Sequence, residues 1–180
     1  MSIDTIYIGN ANTYQLTDFR DAISGALESD VTAFASLCVR TAPSGGSWLV
    51  ENASTSSPIV ITSTNHGLVT GQKITIVNVG DQRGAHGTFV VTVVDANNFS
   101  LNGSTSIAAY SQGGQFFACI QDCAGLAFSL VDTGQYQVEI DGNVGLVNNT
   151  TYVMVIYCTG TYRDLYNEID RVTARTRGNN

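Results

Sequence analysis

The apolar positions of this chain recur mainly with a period of two. Val31, Ala33, Ala35, Leu37 and Val39 alternate along one run. Tyr136, Val138 and Ile140 alternate along another with Gln135, Gln137, Glu139 and Asp141. Successive side chains of a strand point to opposite faces, so the second run predicts one buried and one wetted face. Residues 151–159 differ: Tyr152, Met154, Ile156 and Cys158 fall on one face and Val153, Val155 and Tyr157 on the other. A strand apolar on both faces is central in its sheet, or its outer face meets a partner. Further strands are expected at 5–8, 48–50, 116–121 and 165–176. Helical spacing occurs once, at Phe19, Ala22, Ile23, Ala26 and Leu27, with Asp18 as a candidate cap. Gly25 weakens that helix, and a loop or hairpin fits the segment equally well.

Between these runs lies a block with its own grammar. Strands are expected near 59–63, 73–79, 87–95 and 98–102, separated by turns of Asn, Gly and Asp. His66-Gly67 belongs to the first turn. Asn97 and Asn98 form the tight turn between Val94 and Phe99. Residues 103–114 read as a returning loop, and Asn52 to Ser57 as a polar linker closed by Pro58. The expected fold class is therefore all-β, a β-sandwich of residues 1–57 and 115–180 with a small β-barrel inserted at 58–114. Such an insertion at a surface loop is cheap, because loop-closure entropy grows slowly with length.

Composition adds a constraint. Charged residues make up 13% of the chain, against about 25% in ordinary soluble domains. Two explanations fit: surface hidden in a homo-oligomer or larger assembly, or a Thr/Ser/Asn-rich surface of the kind all-β proteins carry. The formal net charge is −7, and Lys73 is the single lysine. No cluster of phosphate-neutralising cations is present, which argues against direct nucleic-acid binding. Arg171, Arg175 and Arg177 form a basic C-terminal tip, read either as a solvated end or as a contact with an acidic neighbour.

No apolar run approaches transmembrane length, and Met-Ser-Ile-Asp does not read as a signal peptide. Neither a membrane nor export is expected. Cys38, Cys119, Cys123 and Cys158 are accordingly expected to remain buried thiols in a reducing cytoplasm, with Cys119 and Cys123 on one face of a strand. Their spacing does not suit a zinc site.

Candidate chemistry is thin. His66 and His86 could act as bases but sit among turn residues. Asp18 with Asp21, and Asp141 with Asn143, could hold calcium, yet the full calcium-loop pattern is absent and cap or turn roles explain them. No catalytic, cofactor-binding or metal residue is assigned, no cofactor is expected, and the chain reads as a non-enzyme. Trp48 and Tyr110 are the aromatics that could stack on a sugar, but Trp48 reads rather as a core anchor of the sandwich.

Two resemblances extend this picture. The block Ile59-Val-Ile-Thr-Ser-Thr-Asn-His-Gly-Leu-Val-Thr-Gly71, Lys73-Ile-Thr-Ile-Val-Asn-Val79 and Gly87-Thr-Phe-Val-Val-Thr-Val-Val-Asp-Ala-Asn-Asn-Phe-Ser-Leu-Asn-Gly103 resembles a module of tailed-phage structural proteins. It is also similar to the first catalytic-cysteine half-domain of ubiquitin-activating enzymes. That half-domain lacks the adenylation site and the catalytic cysteine, so the likeness implies no such activity. In the outer part, Val31 to Leu37, Asp132-Thr-Gly-Gln-Tyr136 and Leu146-Val-Asn-Asn-Thr-Thr-Tyr-Val-Met-Val155 look like an immunoglobulin-like (Ig-like) domain of phage virion proteins, although the usual version is uninterrupted. Together the resemblances imply a tailed-phage virion component, in a head decoration or fibre, the neck or the tail. It would assemble in the bacterial cytoplasm with copies of itself and with other virion proteins. A host-glycan-binding module of a tail or fibre is the alternative.

Overall fold

The computed structural model describes residues 5–20, 24–39, 48–160 and 167–177. The chain lays down β1 (Thr5–Tyr7), β2 (Ala11–Leu16) and β3 (Ala33–Val39). It continues through β4 (Asn52–Ala53), β5 (Val60–Thr62), β6 (Lys73–Val77), β7 (Gly87–Val93), β8 (Asn98–Leu101) and β9 (Gln115–Ala118). It finishes with β10 (Leu126–Ala127), β11 (Ser129–Asp132), β12 (Gln135–Asp141), β13 (Thr151–Cys158) and β14 (Asn167–Arg175). The fold is all-β: a sandwich with a small barrel inserted between β3 and β10. Two compact units result, one of residues 1–37 and 125–180, the other of residues 38–124.

The sandwich has a five-stranded sheet, β1-β14-β13-β3-β10, and a three-stranded sheet, β11-β12-β2. β13 is the middle strand of the larger sheet, which accounts for its apolar residues on both faces; Tyr152 to Cys158 are all buried within the chain. In the smaller sheet Tyr136, Val138 and Ile140 pair with Leu16, Tyr14 and Asn12, and all six side chains are buried. β2 was not among the expected strands, although Asn12, Tyr14 and Leu16 alternate. The polar Asn12 is tolerated inside because its amide is fully used. Its Oδ1 accepts from the Tyr7 N–H at 2.8 Å, and its Nδ2 donates to the Asn10 and Tyr7 carbonyls at 2.9 and 3.1 Å.

Two tyrosines tie loops to this core. The Tyr136 hydroxyl accepts from the Val31 N–H at 3.1 Å and donates to the Glu28 carbonyl at 3.2 Å. The Tyr152 hydroxyl accepts from the Val147 N–H five residues upstream at 2.9 Å, the arrangement of a tyrosine corner. Gly134 holds the turn before Tyr136 at φ +70°, where an added Cβ would lie 2.6 Å from Leu27 Cδ2. The candidate helix at 18–27 is absent from the described part of that segment. Arg20 and Leu27 instead form an antiparallel bridge, and Asp18 and Gly25 take positive φ. Residues 21–23 lie outside the described residues, as does Pro43-Ser-Gly-Gly46, which by residue type is the turn before the strand expected at 48–50.

The second unit is a six-stranded sheet, β4-β5-β8-β7-β6-β9, curled until its ends meet. Closure comes from the segment before β4. The Val50 N–H donates to the Gly114 carbonyl and the Phe116 N–H to the Trp48 carbonyl, each at 2.9 Å, flanking a Leu49–Gln115 bridge. Ile59, Ile61, Ile74, Ile76, Val91, Phe99, Leu101 and Phe116 fill the interior at near-zero exposure. Each such side chain contributes roughly 1.5–3 kcal/mol by leaving water. The expected strands at 59–63, 73–79, 87–95 and 98–102 correspond to β5, β6, β7 and β8.

The barrel reaches beyond the expected 58–114 on both sides. Residues 52–53, expected in a linker, form β4 and pair with Thr62 and Ile61. Residues 115–118, expected in the sandwich, form β9 and pair with Val77 to Ile74. The cysteine expectation also needs correction. Cys38 and Cys119 are joined by a disulfide across an antiparallel bridge, while Cys123 and Cys158 are buried thiols. Cys123 lies in a 3₁₀ turn, Gln121–Cys123, rather than on a strand with Cys119.

Tyr152→Phe should lower stability by about 1 kcal/mol in urea titrations, because the Val147 N–H loses its acceptor. Denatured without reductant, the protein should take up alkylating label on two of its four cysteines, and on all four after reduction. The bond closes a loop with a sequence separation of 81. In the chain-entropy model, Cys38→Ser with Cys119→Ser should therefore cost about 4.5 kcal/mol.

Candidate functional site

The middle block's most versatile side chain is His66, in the turn between β5 and β6. It is 1% exposed and fixed at both ring nitrogens. Nδ1 accepts from the Leu68 N–H at 3.0 Å, so Nε2 carries the proton and donates to the Asp95 carbonyl at 3.0 Å. The ring stands edge-on to Phe99 at 5.0 Å. His66 therefore joins the β5–β6 turn to the β7–β8 hairpin. Asp95 organises that hairpin: its carboxylate accepts from the Asn97 N–H at 2.7 Å and from Asn98 Nδ2 at 3.0 Å. These donors, the Asn97 amide first, hold its carboxyl below the usual aspartate range. His86 follows the 3₁₀ turn Arg83–Ala85 and is buried at 9% exposure.

The acidic pairs are engaged in turns. Asp18 forms an exposed ion pair with Arg20 at 2.7 Å. Asp21 lies outside the described residues. The Asp141 carboxylate accepts from both the backbone and the side chain of Asn143, at 2.9 and 2.8 Å. Among the described residues no group of three or more His, Cys, Asp or Glu is placed to share a metal ion.

The aromatics considered for sugar stacking lie against the barrel core. Trp48 is half-buried against Phe116 and Phe117, with ring centroids 6.4 and 6.0 Å away. Tyr110 packs on the same core, and its hydroxyl reaches the Val50 and Gly113 carbonyls at 2.9 and 3.0 Å. Desolvation raises the Tyr110 phenol, and burial pushes the Cys158 thiol up to about 11. At neutral pH that thiol stays protonated, and thiols are far weaker nucleophiles than thiolates.

The arginine tip lies partly on a strand. Arg171 and Arg175 alternate along β14 with the buried Val172 and Ala174, so they lie on the opposite face of that strand, which Arg171 shares with the buried Val153. Arg177 places its guanidinium 4.8 Å from the Tyr7 ring centroid, and Tyr7 pairs with Arg175 on the same face. The outer face of the smaller sheet carries Asp132, Glu139 and Asp141, all exposed. Sequence reading recognised the wet face of β12 but not its relation to the arginines. The signal would have been the sign of charge on alternate positions of β12 and β14. No helix of the described residues is long and apolar enough to cross a membrane. No protein-family model matches the chain, and no curated protein matches it.

His66→Ala removes two buried hydrogen bonds and leaves a cavity beneath Phe99. It should cost about 3 kcal/mol in denaturant titrations. The carboxyl of Asp95 should titrate below 3.8 in a carbon-detected NMR experiment. Because its folded value is depressed, its stabilising contribution is present above the unfolded value and fades as pH falls through the folded one. Asp95→Asn should abolish that part of the acid sensitivity.

Proposed function

We propose that this chain is a non-catalytic structural subunit of a tailed-phage particle, working through contacts with copies of itself and with other virion proteins. The observation that carries the reading is modular construction: a closed barrel set between two strands of a sandwich. The motifs resembling phage structural modules fall in those two parts. The barrel's turn chemistry supports it as well, since His66 and Asp95 hold loops in place. Low charge fits a surface that is covered in an assembly. The Cys38–Cys119 disulfide fits an object that persists outside the cell, because such bonds survive in oxidising surroundings, virion surfaces included. Assembly would take place in the host cytoplasm, with the two thiols oxidised to the bond, their electrons passing to oxidants of the extracellular surroundings, after release. The position in the particle, whether head decoration or fibre, neck or tail, is left to the same experiment. The glycan-binding alternative draws less support, because Trp48 and Tyr110 each pack one part of the ring on the barrel core.

Mass spectrometry of gradient-purified particles should recover the chain in a fixed ratio to the major capsid or tail protein. Immunogold labelling should then place it at one site. Particles that lack it throughout would sink the proposal.

A further inference from the structure

We infer that β2 is an assembly edge, which pairs antiparallel with β2 of a second copy and joins two three-stranded sheets into one. This rests on the assembly reading above and names the surface it uses. A strand at the end of a sheet leaves backbone donors and acceptors unpaired, and proteins blunt such edges with charge, proline, bulges or brevity. The other edges of the sandwich are blunted. β10 has two residues. β11 shifts register between Leu130 and Asp132 and ends on an exposed aspartate. β1 has three residues, and the Tyr7 N–H and carbonyl are both taken by the Asn12 side chain.

β2 carries none of these devices. Among the described residues it ends the smaller sheet. Its six residues, Ala-Asn-Thr-Tyr-Gln-Leu, contain no charge and no proline, and they run in unbroken register against β12. The Gly142 N–H donates to the Asn10 carbonyl at 2.8 Å, which sets the phase of the ladder. Asn12, Tyr14 and Leu16 turn their backbone groups toward β12, and Ala11, Thr13 and Gln15 turn theirs toward the open edge. Those last three residues are exposed.

Such an edge is its own complement when it meets itself about a two-fold axis, and the contact is then isologous and closed. With the axis at Thr13, Thr13 opposes Thr13 of the second copy and Ala11 opposes Gln15. Each opposed pair exchanges two backbone hydrogen bonds, about six in all. Thr–Thr is a favourable cross-strand pair, and no charge on either strand meets its like. Glu139 pairs with Thr13 one strand further in. Three strand spacings, about 14 Å, then separate it from its counterpart, beyond the screening length of about 8 Å at physiological salt. Six residues of strand cover less than the roughly 800 Å² per partner of a standard interface, so the isolated dimer is weak. A donor strand from another protein is the competing occupant.

The test is light scattering of the full chain up to about 1 mM, where weak dimers are populated. The wild type should form a dimer that about 0.5 M salt leaves intact, since the paired strands are uncharged. T13P deletes an N–H that faces the open edge, a place where strands accept proline. It removes one bond from each copy and should weaken the dimer about tenfold or more. T13K sets like charges opposite each other and should weaken it as well. L130K, on the far edge of the same sheet, should change nothing. Thermal melts check folding, and T13K carries the test if T13P unfolds. Under oxidation T13C should cross-link to itself, while A11C and Q15C should cross-link only when mixed, because opposed Cα atoms lie about 5.5 Å apart. The two free cysteines are buried and do not compete. A dimer that survives both T13P and T13K removes this edge and leaves the assembly reading standing. Failure of the A11C and Q15C mixture to cross-link overturns the antiparallel register. A chain still monomeric at about 1 mM overturns self-pairing. If T13C then cross-links to a different protein in assembled particles, the edge belongs to a foreign donor strand. Particle mass spectrometry judges the assembly reading separately.

Discussion

The fold depends on one constraint: a chain that leaves a sandwich strand to build a barrel must come back beside the place it left. β3 meets that constraint twice. Its early residues Phe34 and Ala35 pair with Ala127 and Leu126, and Cys38 further along is bridged to Cys119 by backbone and disulfide. Everything between Cys38 and Cys119 is therefore a closed excursion. The barrel repeats the solution locally, since residues 48–50 leave beside residues 114–116 on their way back. An open six-stranded sheet would present unpaired edges that invite aggregation, and here those edges satisfy each other.

That geometry explains where the sequence could be read and where it could not. β12 and β13 were legible because their burial depends on their own side chains: alternation for a half-wet strand, continuous apolarity for a central one. β5 to β8 were legible because Asn, Gly and Asp punctuate them. β4 and β9 were misplaced because nothing in Asn52-Ala53 or in Gln115 to Ala118 states which strand they will pair with. Their partners lie in β5 and β6, and pairing at a distance leaves no local mark. β2 was missed since Asn12 occupies a core position, and a polar residue breaks the apolar alternation unless its hydrogen bonds are known. The helical spacing around Phe19 gave way to a bridged loop because Asp18 and Gly25 adopt backbone conformations that a right-handed helix excludes.

The candidate site was legible in kind but not in geometry. Turn roles for the His66 segment and Asp141 follow from residue type; a core role for Trp48 does too, but its ring packs on the barrel core and not in the sandwich where it is expected. The doubly bonded imidazole of His66 does not, because its partners Leu68 and Asp95 come from different turns. The disulfide was misread for a related reason. Pairing needs two strands that bring their cysteines into register, which no local pattern of residues states. Cys38 and Cys119 satisfy that condition, whereas Cys123 is carried off by a 3₁₀ turn.

Charge placement gains its meaning from the strands that carry it. On a solvated tail, three arginines would each give up side-chain and backbone freedom on meeting a partner, and the contact would be correspondingly weak. β14 instead lies between β1 and β13, which fixes the backbone of Arg171 and Arg175 in advance. The stacking of Arg177 on Tyr7 orders a third guanidinium without neutralising it. On the other sheet, Glu139 is held by pairing with Thr13 of β2, and Asp141 is oriented by Asn143. A rigid scaffold carrying a small number of segregated charges discriminates against wrong orientations more sharply than a densely charged surface, where many alternative pairings have similar energy.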